Sequence, residues 1–531
     1  MLRNTAMGAM ATARSDAQPR LQTGPDGGNA PYLIRFLLSM SAALAALFAC
    51  PAWAAKWDIV PTLSLVETYS DNISLTPDAA KRSEWVTQVI PGISIAATGD
   101  RLRFNFVYAP EFTYYAQGTS ENEIFHRGNA FGTAELAEQL LFVDAGARVD
   151  QYNVSLQGPL TTTNVNTTGN RSTVRTYFVS PYLQRDFGSD LRAEARFTYS
   201  VANSEDTASL DNSVSDRINL RLASGPAYKV FTWDLAYSKE TIDYETQGDT
   251  DIEVSNLNAR RLITPTVGVL AQGGYEYYQS GIIPATEGPS WSAGLEWAPS
   301  LRTRLAATAG RRFYGNSYLF DFRHRTRLTT WSVGYTENVT TTRSEFFIPA
   351  TTSTAGYVDT LFSQRFPDPV ARQKAVEEFI ARTGLPPSLS DPINVFTTQL
   401  FLEKRWSASA GILGVSNVLI ANVFKQTREG VAGDLVLPTA PNASIQTGTS
   451  LLWNWRMSAQ NAWNLGVAYS RNETPNTGEI AYFTYVGMGL TRQFQPRLSG
   501  SLSYRLQQND SNFNGSDYTE NAVIATLRMR F

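Results

Sequence analysis

Sulfur and imidazole are nearly missing from this sequence. Among 531 residues stand a single cysteine, Cys50, and two histidines, His126 and His324. Cys50 lies in a stretch with the features of a cleaved leader, so the mature chain is expected to lack disulfides, thiolate metal ligands and a cysteine nucleophile. No His-x-x-x-His pair or Glu-x-x-His helix offers a metal site, and no glycine-rich loop with its lysine offers a phosphate cradle. The acidic run Gly248-Asp249-Thr250-Asp251-Ile252-Glu253 lacks the full spacing of a calcium loop and reads as a solvated loop. Asp321 precedes His324 by three residues, which invites a general-base pairing. An odd separation along a strand puts the two side chains on opposite faces, however. Both histidines are read as solvated groups where strands meet outer loops; no cofactor and no enzymatic activity are expected.

Charge of one sign is also lacking. The whole chain carries a formal −3. Residues 1–54 hold four arginines and two aspartates, so their loss leaves −3 − 2 = −5. Nothing in that balance suits nucleic acid. Nor is there a run of eighteen apolar residues, which excludes helical membrane spans. The one long apolar run, Phe36 to Ala49, follows Arg35 and precedes Ala52-Trp53-Ala54, the pattern of a secretory signal peptide. Leu47-Phe48-Ala49-Cys50 approaches a lipoprotein box, but Phe48 and Pro51 fit it poorly, and ordinary cleavage near Ala55 is expected. Residues 1–54 are therefore read as leader and 55–531 as one domain, with strands beginning too soon after the leader to leave room for a plug domain.

What is abundant is alternation. Trp57, Ile59, Leu63 and Leu65 share one face of the first segment, and Leu102, Phe104, Phe106 and Tyr108 one face of a later one. Leu191 to Val201, Phe231 to Tyr237, Trp463 to Tyr469 and Leu498 to Leu506 repeat the period of two. Short turns, such as Thr98-Gly99-Asp100, Gly188-Ser189-Asp190, Ala298-Pro299-Ser300, Val415-Ser416-Asn417 and Gln495-Pro496-Arg497, alternate with long polar connections, such as Ser70 to Ser83, Ser155 to Asn170, Asn203 to Ser215 and Thr427 to Asn442. That asymmetry separates a membrane barrel from a soluble sandwich. The fold class is all-β: a large antiparallel transmembrane β-barrel of about 22 strands, placed in the outer membrane with lipid and lipopolysaccharide as its surroundings. Aromatic pairs near strand ends, Tyr114 and Tyr115, Tyr275, Tyr277 and Tyr278, and Trp453 and Trp455, are expected in the interfacial girdles. One long outer loop, 349–392, is expected to hold a short helix between Asp368 and Gly384, with Val376, Phe379 and Ile380 as its apolar stripe. It is read as a lumenal constriction, a lid over the mouth or a surface subdomain.

If the apolar rows meet lipid, the inner wall carries Arg103, Arg148, Arg192, Arg196, Arg221, Arg302, Arg304, Arg505 and Arg528 against fewer acids, Asp144, Glu194, Asp234, Glu276 and Glu296. An arginine excess would favour anionic solutes or polymers. The opposing reading, ladders of arginine and carboxylate that brace the wall, is the stronger of the two.

The chain ends YTENAVIATLRMRF, an alternating strand stopping on Phe531. A closed barrel must finish with such a strand, because its last stave pairs with its first. The terminal Phe531 resembles the recognition signal of the bacterial barrel-assembly machinery, which makes that machinery an expected partner. The opening strand Trp57 to Leu75, WDIVPTLSLVETYSDNISL, with Asp71-Asn72 after a tyrosine-ended strand, resembles that of the PEP-CTERM-system-associated outer-membrane proteins. The resemblance extends over the mature chain as strand-and-turn rhythm. It implies a non-enzymatic channel encoded with exopolysaccharide synthesis and exosortase genes, with polysaccharide or periplasmic export components as partners. A general diffusion porin and a structural or adhesive surface barrel are the alternatives.

Overall fold

A computed structural model describes residues 55–531 apart from 207–209, 247, 282, most of 348–395, 398, 433–434, 438–442 and 514. The expected leader lies outside the described residues. So does most of the 349–392 loop, of which Phe362, Arg372, Ala375 and Val376 are described, all four helical.

Alternating segments of this length have two rows of side chains and an unpaired edge on each side, and lipid tolerates no unpaired backbone. The protein meets that demand with one closed sheet. Each strand pairs antiparallel with its sequence neighbours, and the first, Lys56–Ser70, pairs with the last, Tyr518–Arg530, from Thr62 opposite Arg530 to Ser70 opposite Ala522. Among the described residues twenty-five hydrogen-bonded segments are present. Three continue a neighbour in the same stave: Leu102–Tyr108 runs into Glu111–Tyr115, Glu123–Phe125 into Gly128–Ala137, and Leu435–Leu437 into Ser444–Arg456. The barrel therefore has 25 − 3 = 22 staves. Pro110 marks the first break, since proline gives no donor to a ladder.

The two rows are sorted inside out relative to a soluble protein. Trp57, Ile59, Leu65, Leu235, Trp291, Leu295, Leu502 and Leu527 face outward and are exposed, whereas Glu520, Gln507, Glu240, Arg505 and Arg428 are buried. Such a surface is stable only against hydrocarbon. Trp57, Trp297, Trp331 and Trp455 ring one end and Trp85, Tyr114 and Tyr275 the other. Tyr115 and Tyr278 depart from the girdle expectation. Consecutive residues on a strand cannot share a face, so each turns inward beside an outward neighbour and is buried. The turns at 99–101, 188–190, 301–302, 414–416 and 496–497 lie on one rim, which is the periplasmic one in this class, while the opposite rim carries the long connections together with the short ones between Ser280 and Ile283 and between Arg312 and Gly315. On the periplasmic rim the strand Ile283–Ser300 absorbs Ala298-Pro299-Ser300, and Leu301 and Arg302 form the turn. At the opposite rim the strand Asn417–Ala432 runs through part of the expected outer loop.

Closure is fixed at both ends of the seam. The Phe531 N–H donates to the Pro61 carbonyl at 3.0 Å. At the outer end Asp71 accepts from the Asn521 N–H (2.7 Å) and from Asn521 Nδ2 (2.8 Å). Asn72 Nδ2 donates to the carbonyls of Thr519 (3.1 Å) and Thr76 (2.7 Å). The Asp71-Asn72 pair is thus a clasp between the first strand's exit and the last strand's entry. Asp71→Ala is expected to lower barrel stability by about 1–3 kcal/mol through loss of charged hydrogen bonds. The measurement is the urea midpoint of the vesicle-folded protein, and an unchanged midpoint would show that the clasp contributes nothing.

Candidate functional site in the lumen

A closed sheet of this strand number encloses far more space than wall side chains can fill. Strand pairing fixes which of them reach that space. Arg103, Asp144, Arg148, Arg192, Glu194, Arg196, Arg221, Asp234, Glu276, Glu296, Arg304, Arg505 and Arg528 all share the inward row, opposite the lipid-facing apolar row. Arg302 does not, because it sits in a turn.

Most of these arginines have carboxylate partners. Arg196 bonds Asp144 (2.7 Å) and Glu194 (3.0 Å). Arg148 bonds Asp150 (3.2 Å), Arg192 bonds Asp186 (2.6 Å), Arg304 bonds Glu296 (2.8 Å), and Arg221 lies 3.9 Å from Asp234. Sequence reasoning missed the partners Asp150 and Asp186, although Asp150 stands two residues from Arg148 on the same inward row and Asp186 is the cross-strand partner of Arg192. Over this arc the arginine excess is neutralised, and the ladder braces the wall.

Among the outer-rim segments that turn inward, that of Ile73 and Leu75 buries both side chains against Val165 and Leu160, and two others tie distant parts of the wall. The first, between the strands Leu141–Asn153 and Arg171–Phe187, reads as a polar loop but carries Leu156, Leu160 and Val165, all buried. It crosses to the closure seam. Tyr518 Oη donates to the Leu160 carbonyl and Tyr115 Oη to the Val165 carbonyl (3.0 Å). Asn166 Nδ2 donates to Glu520 (2.7 Å), which also takes bonds from Ser70 Oγ (2.7 Å), Gln507 Nε2 (2.6 Å) and Arg505 Nη2 (2.9 Å). Glu520 is fully buried. The wall residues Ser70, Gln507 and Arg505 hold this buried carboxylate, and the seated segment adds one further donor through Asn166. The three apolar residues within an otherwise polar loop were the available signal, since a solvated loop needs none.

The second segment follows the strand Thr329–Thr340 and begins with the helix Thr342–Phe347. Arg343 is 1% exposed. It donates to Ser213 Oγ (2.8 Å) and to Ser200 O and Oγ (both 2.9 Å), and lies 3.6 Å from Glu240. Those residues belong to the inner faces of the strands Leu191–Ser204, Ser213–Ser224 and Phe231–Tyr244. Phe346 packs edge-on against Tyr152 at 5.0 Å and joins Val174, Leu210 and Phe396. Glu345 accepts two bonds from Arg428 of the strand Asn417–Ala432, at 2.6 and 2.8 Å, on another part of the wall. One short helix thus ties separate arcs of the inner surface across the lumen. Burial draws the Arg343 guanidinium down to about 10, still cationic at neutral pH, and burial beside Glu403 pushes the Glu345 carboxyl up to about 8 against the pull of Arg428. The sequence placed a helix later, at Asp368–Gly384. Of that range Arg372, Ala375 and Val376 are described, and Val376 is buried.

The histidines take no part in this arrangement. His126 Nδ1 bonds Tyr108 Oη at 2.7 Å on the outward side. His324 bonds Thr303 Oγ1 at 2.9 Å near the short-turn rim rather than at an outer loop, because its strand Gly315–Arg325 descends toward that rim. Asp321 lies in the inward row and pairs with Arg323 (3.0 Å). In the acidic run, Asp251 accepts from Thr241 Oγ1 at 2.7 Å.

No protein-family model matches the chain, and no curated protein matches it by sequence. Among solved structures it resembles the ferric-catecholate import receptor Fiu of E. coli K12, at 8% identity and TM-score 0.48 over 89% of this chain and 82% of that one. It also resembles the siderophore receptor PiuA of Acinetobacter baumannii (9%, TM-score 0.48, 90% and 82%). The ferric citrate transporter FecA in its unliganded form is a third (9%, TM-score 0.47, 89% and 79%). The likeness is one of barrel fold alone. The closed sheet, its outward apolar row and its aromatic girdles define an outer-membrane β-barrel.

Removing one partner of a buried charge cluster typically costs about 3–5 kcal/mol. Arg343→Met is therefore expected to unseat the helix and raise single-channel conductance in planar bilayers; a current equal to the parent's would rule out a latch at Arg343. The raised Glu345 value fixes the sign of a pH effect. A carboxyl whose seated-state value lies above the ordinary one binds a proton on seating, so the seated state is favoured at low pH and loses ground as pH rises toward about 8. Current is expected to grow between about pH 5 and about pH 9, and Glu345→Gln is expected to flatten that rise.

Proposed function

We propose that the protein is a gated conduit through the outer membrane, serving the export of an exopolysaccharide or of proteins sorted by an exosortase-linked system. The observation that carries this reading is the pair of inward segments, each rooted at the outer rim and held to the inner wall by buried hydrogen bonds. A general diffusion porin needs a standing aqueous passage, and two lumenal segments with dedicated seats oppose one. Satisfied wall charges support a passage that is wetted without being strongly selective for anions. The export assignment draws on the resemblance carried by Trp57 to Leu75, whose Asp71-Asn72 forms the seam clasp.

A clean deletion of the gene is expected to reduce secreted polymer or envelope-sorted protein in the source bacterium, measured as total extracellular carbohydrate and by surface proteomics. Unchanged amounts and composition of both would remove the export reading. Bilayer conductance with and without residues 349–392 bears on gating separately, with a rise on deletion supporting a gate.

A further inference from the structure

Most aromatic side chains on the inner wall are covered: Tyr115, Tyr278, Phe401, Phe424, Phe483, Tyr485 and Tyr518 are all buried. Four are not. Phe131, Phe142, Phe178 and Tyr182 lie on three adjoining strands, Gly128–Ala137, Leu141–Asn153 and Arg171–Phe187, and Phe131 is 47% exposed. Strand register arranges them in two tiers. In the upper tier Gly146 stands directly between Phe131 and Phe178 as the cross-strand partner of both. A Cβ on Gly146 would come within 2.3 Å of Phe178 Cε1. The Phe178 ring therefore occupies the space a side chain at position 146 would take, and it is half-buried. In the lower tier Phe142 and Tyr182 are cross-strand partners with centroids 5.1 Å apart, and the Arg196 guanidinium sits 3.7 Å over the Tyr182 ring. Asp144, between the tiers, holds Arg196.

We infer that this arc is a binding track for a neutral glycan chain, an inference that rests on the export reading and names its cargo. A pyranose has an apolar CH face, which matches a flat ring, and a rim of hydroxyls, which matches the Arg, Asp and Glu groups beside the rings. An acyl chain would meet those charges without compensation. An anion would find little net field, because Arg148, Arg192 and Arg196 each have a carboxylate partner. The tiers are four residues apart along one strand, about 13 Å at the usual rise, which is longer than a single sugar and calls for a chain of them.

The test is equilibrium binding of cellohexaose, a neutral probe, and of a galacturonic acid hexamer, an acidic one, to the full-length protein in detergent. Heat-shifted migration on gels confirms that each variant is folded. Phe131→Ala with Phe178→Ala, and separately Gly146→Ala, which lifts the Phe178 ring off the wall, are each expected to weaken cellohexaose binding on the order of tenfold. Leu319→Ala, an exposed inward residue on another strand, is expected to leave it unchanged. Equal affinity in all variants, no cellohexaose binding, or binding of the acidic hexamer alone that vanishes with salt would each overturn the track. Binding without any secretion defect in the deletion strain would instead remove export and leave the track standing. A secretion defect without glycan binding would do the reverse.

Discussion

The whole structure depends on one constraint: within hydrocarbon, no backbone amide or carbonyl can be left without a partner. An open sheet of this length has two edges that cannot meet it. Joining Lys56–Ser70 to Tyr518–Arg530 removes both at once, across a gap of nearly the entire sequence. Everything else follows from that joint. Once the cylinder exists, its inner row must be wettable and its outer row greasy, and the buried groups of the protein become polar ones.

A lumen of this width is itself a demand, because the chain must decide what to put in it. Here the periodicity of the wall and the chemistry of the loops divide the work. The wall supplies Ser200, Ser213, Glu240, Arg428 and Glu520 as fixed seats, and the inward segments supply Arg343, Glu345, Asn166 and the carbonyls of Leu160 and Val165 as the matching groups. These are bonds between buried polar groups, stronger than surface pairs while intact and expensive to leave half made. A device of this kind suits two states, seated and released, better than a continuum between them.

The barrel was legible in the sequence because lipid imposes a period of two on every stave, and the sum over many weak segments is strong. The strand count followed from alternating short and long connections. Tyr115 and Tyr278 were misplaced because position near a strand end was weighed without parity, which alone decides the face. His324 was put at the wrong rim because the turns around it were not traced. The inward segments were hidden for a different reason. Their residues are polar, as loop residues are, and the distinction between a solvated loop and a seated one lies in partners far away in the chain: Thr162 with Gln507, Arg343 with Ser200. No local pattern encodes those contacts. The aromatic arc was equally invisible, since Phe131 and Phe178 acquire a shared surface only through the glycine that register places between them.

The clasp at Asp71 and Asn521 bears on the order of events during biogenesis. Glu520, Gln507 and Tyr518, which receive the segment after Leu141–Asn153, all belong to the final two staves to be made. Before the C-terminal hairpin is in place the segment has only part of its dock, at Ile73, Glu111 and Tyr115, and the bonds to Glu520, Gln507 and Tyr518 complete it. Closing the seam and completing this segment's seat therefore involve the same residues, so a cylinder whose last stave has not joined its first also lacks part of what holds the segment against the wall.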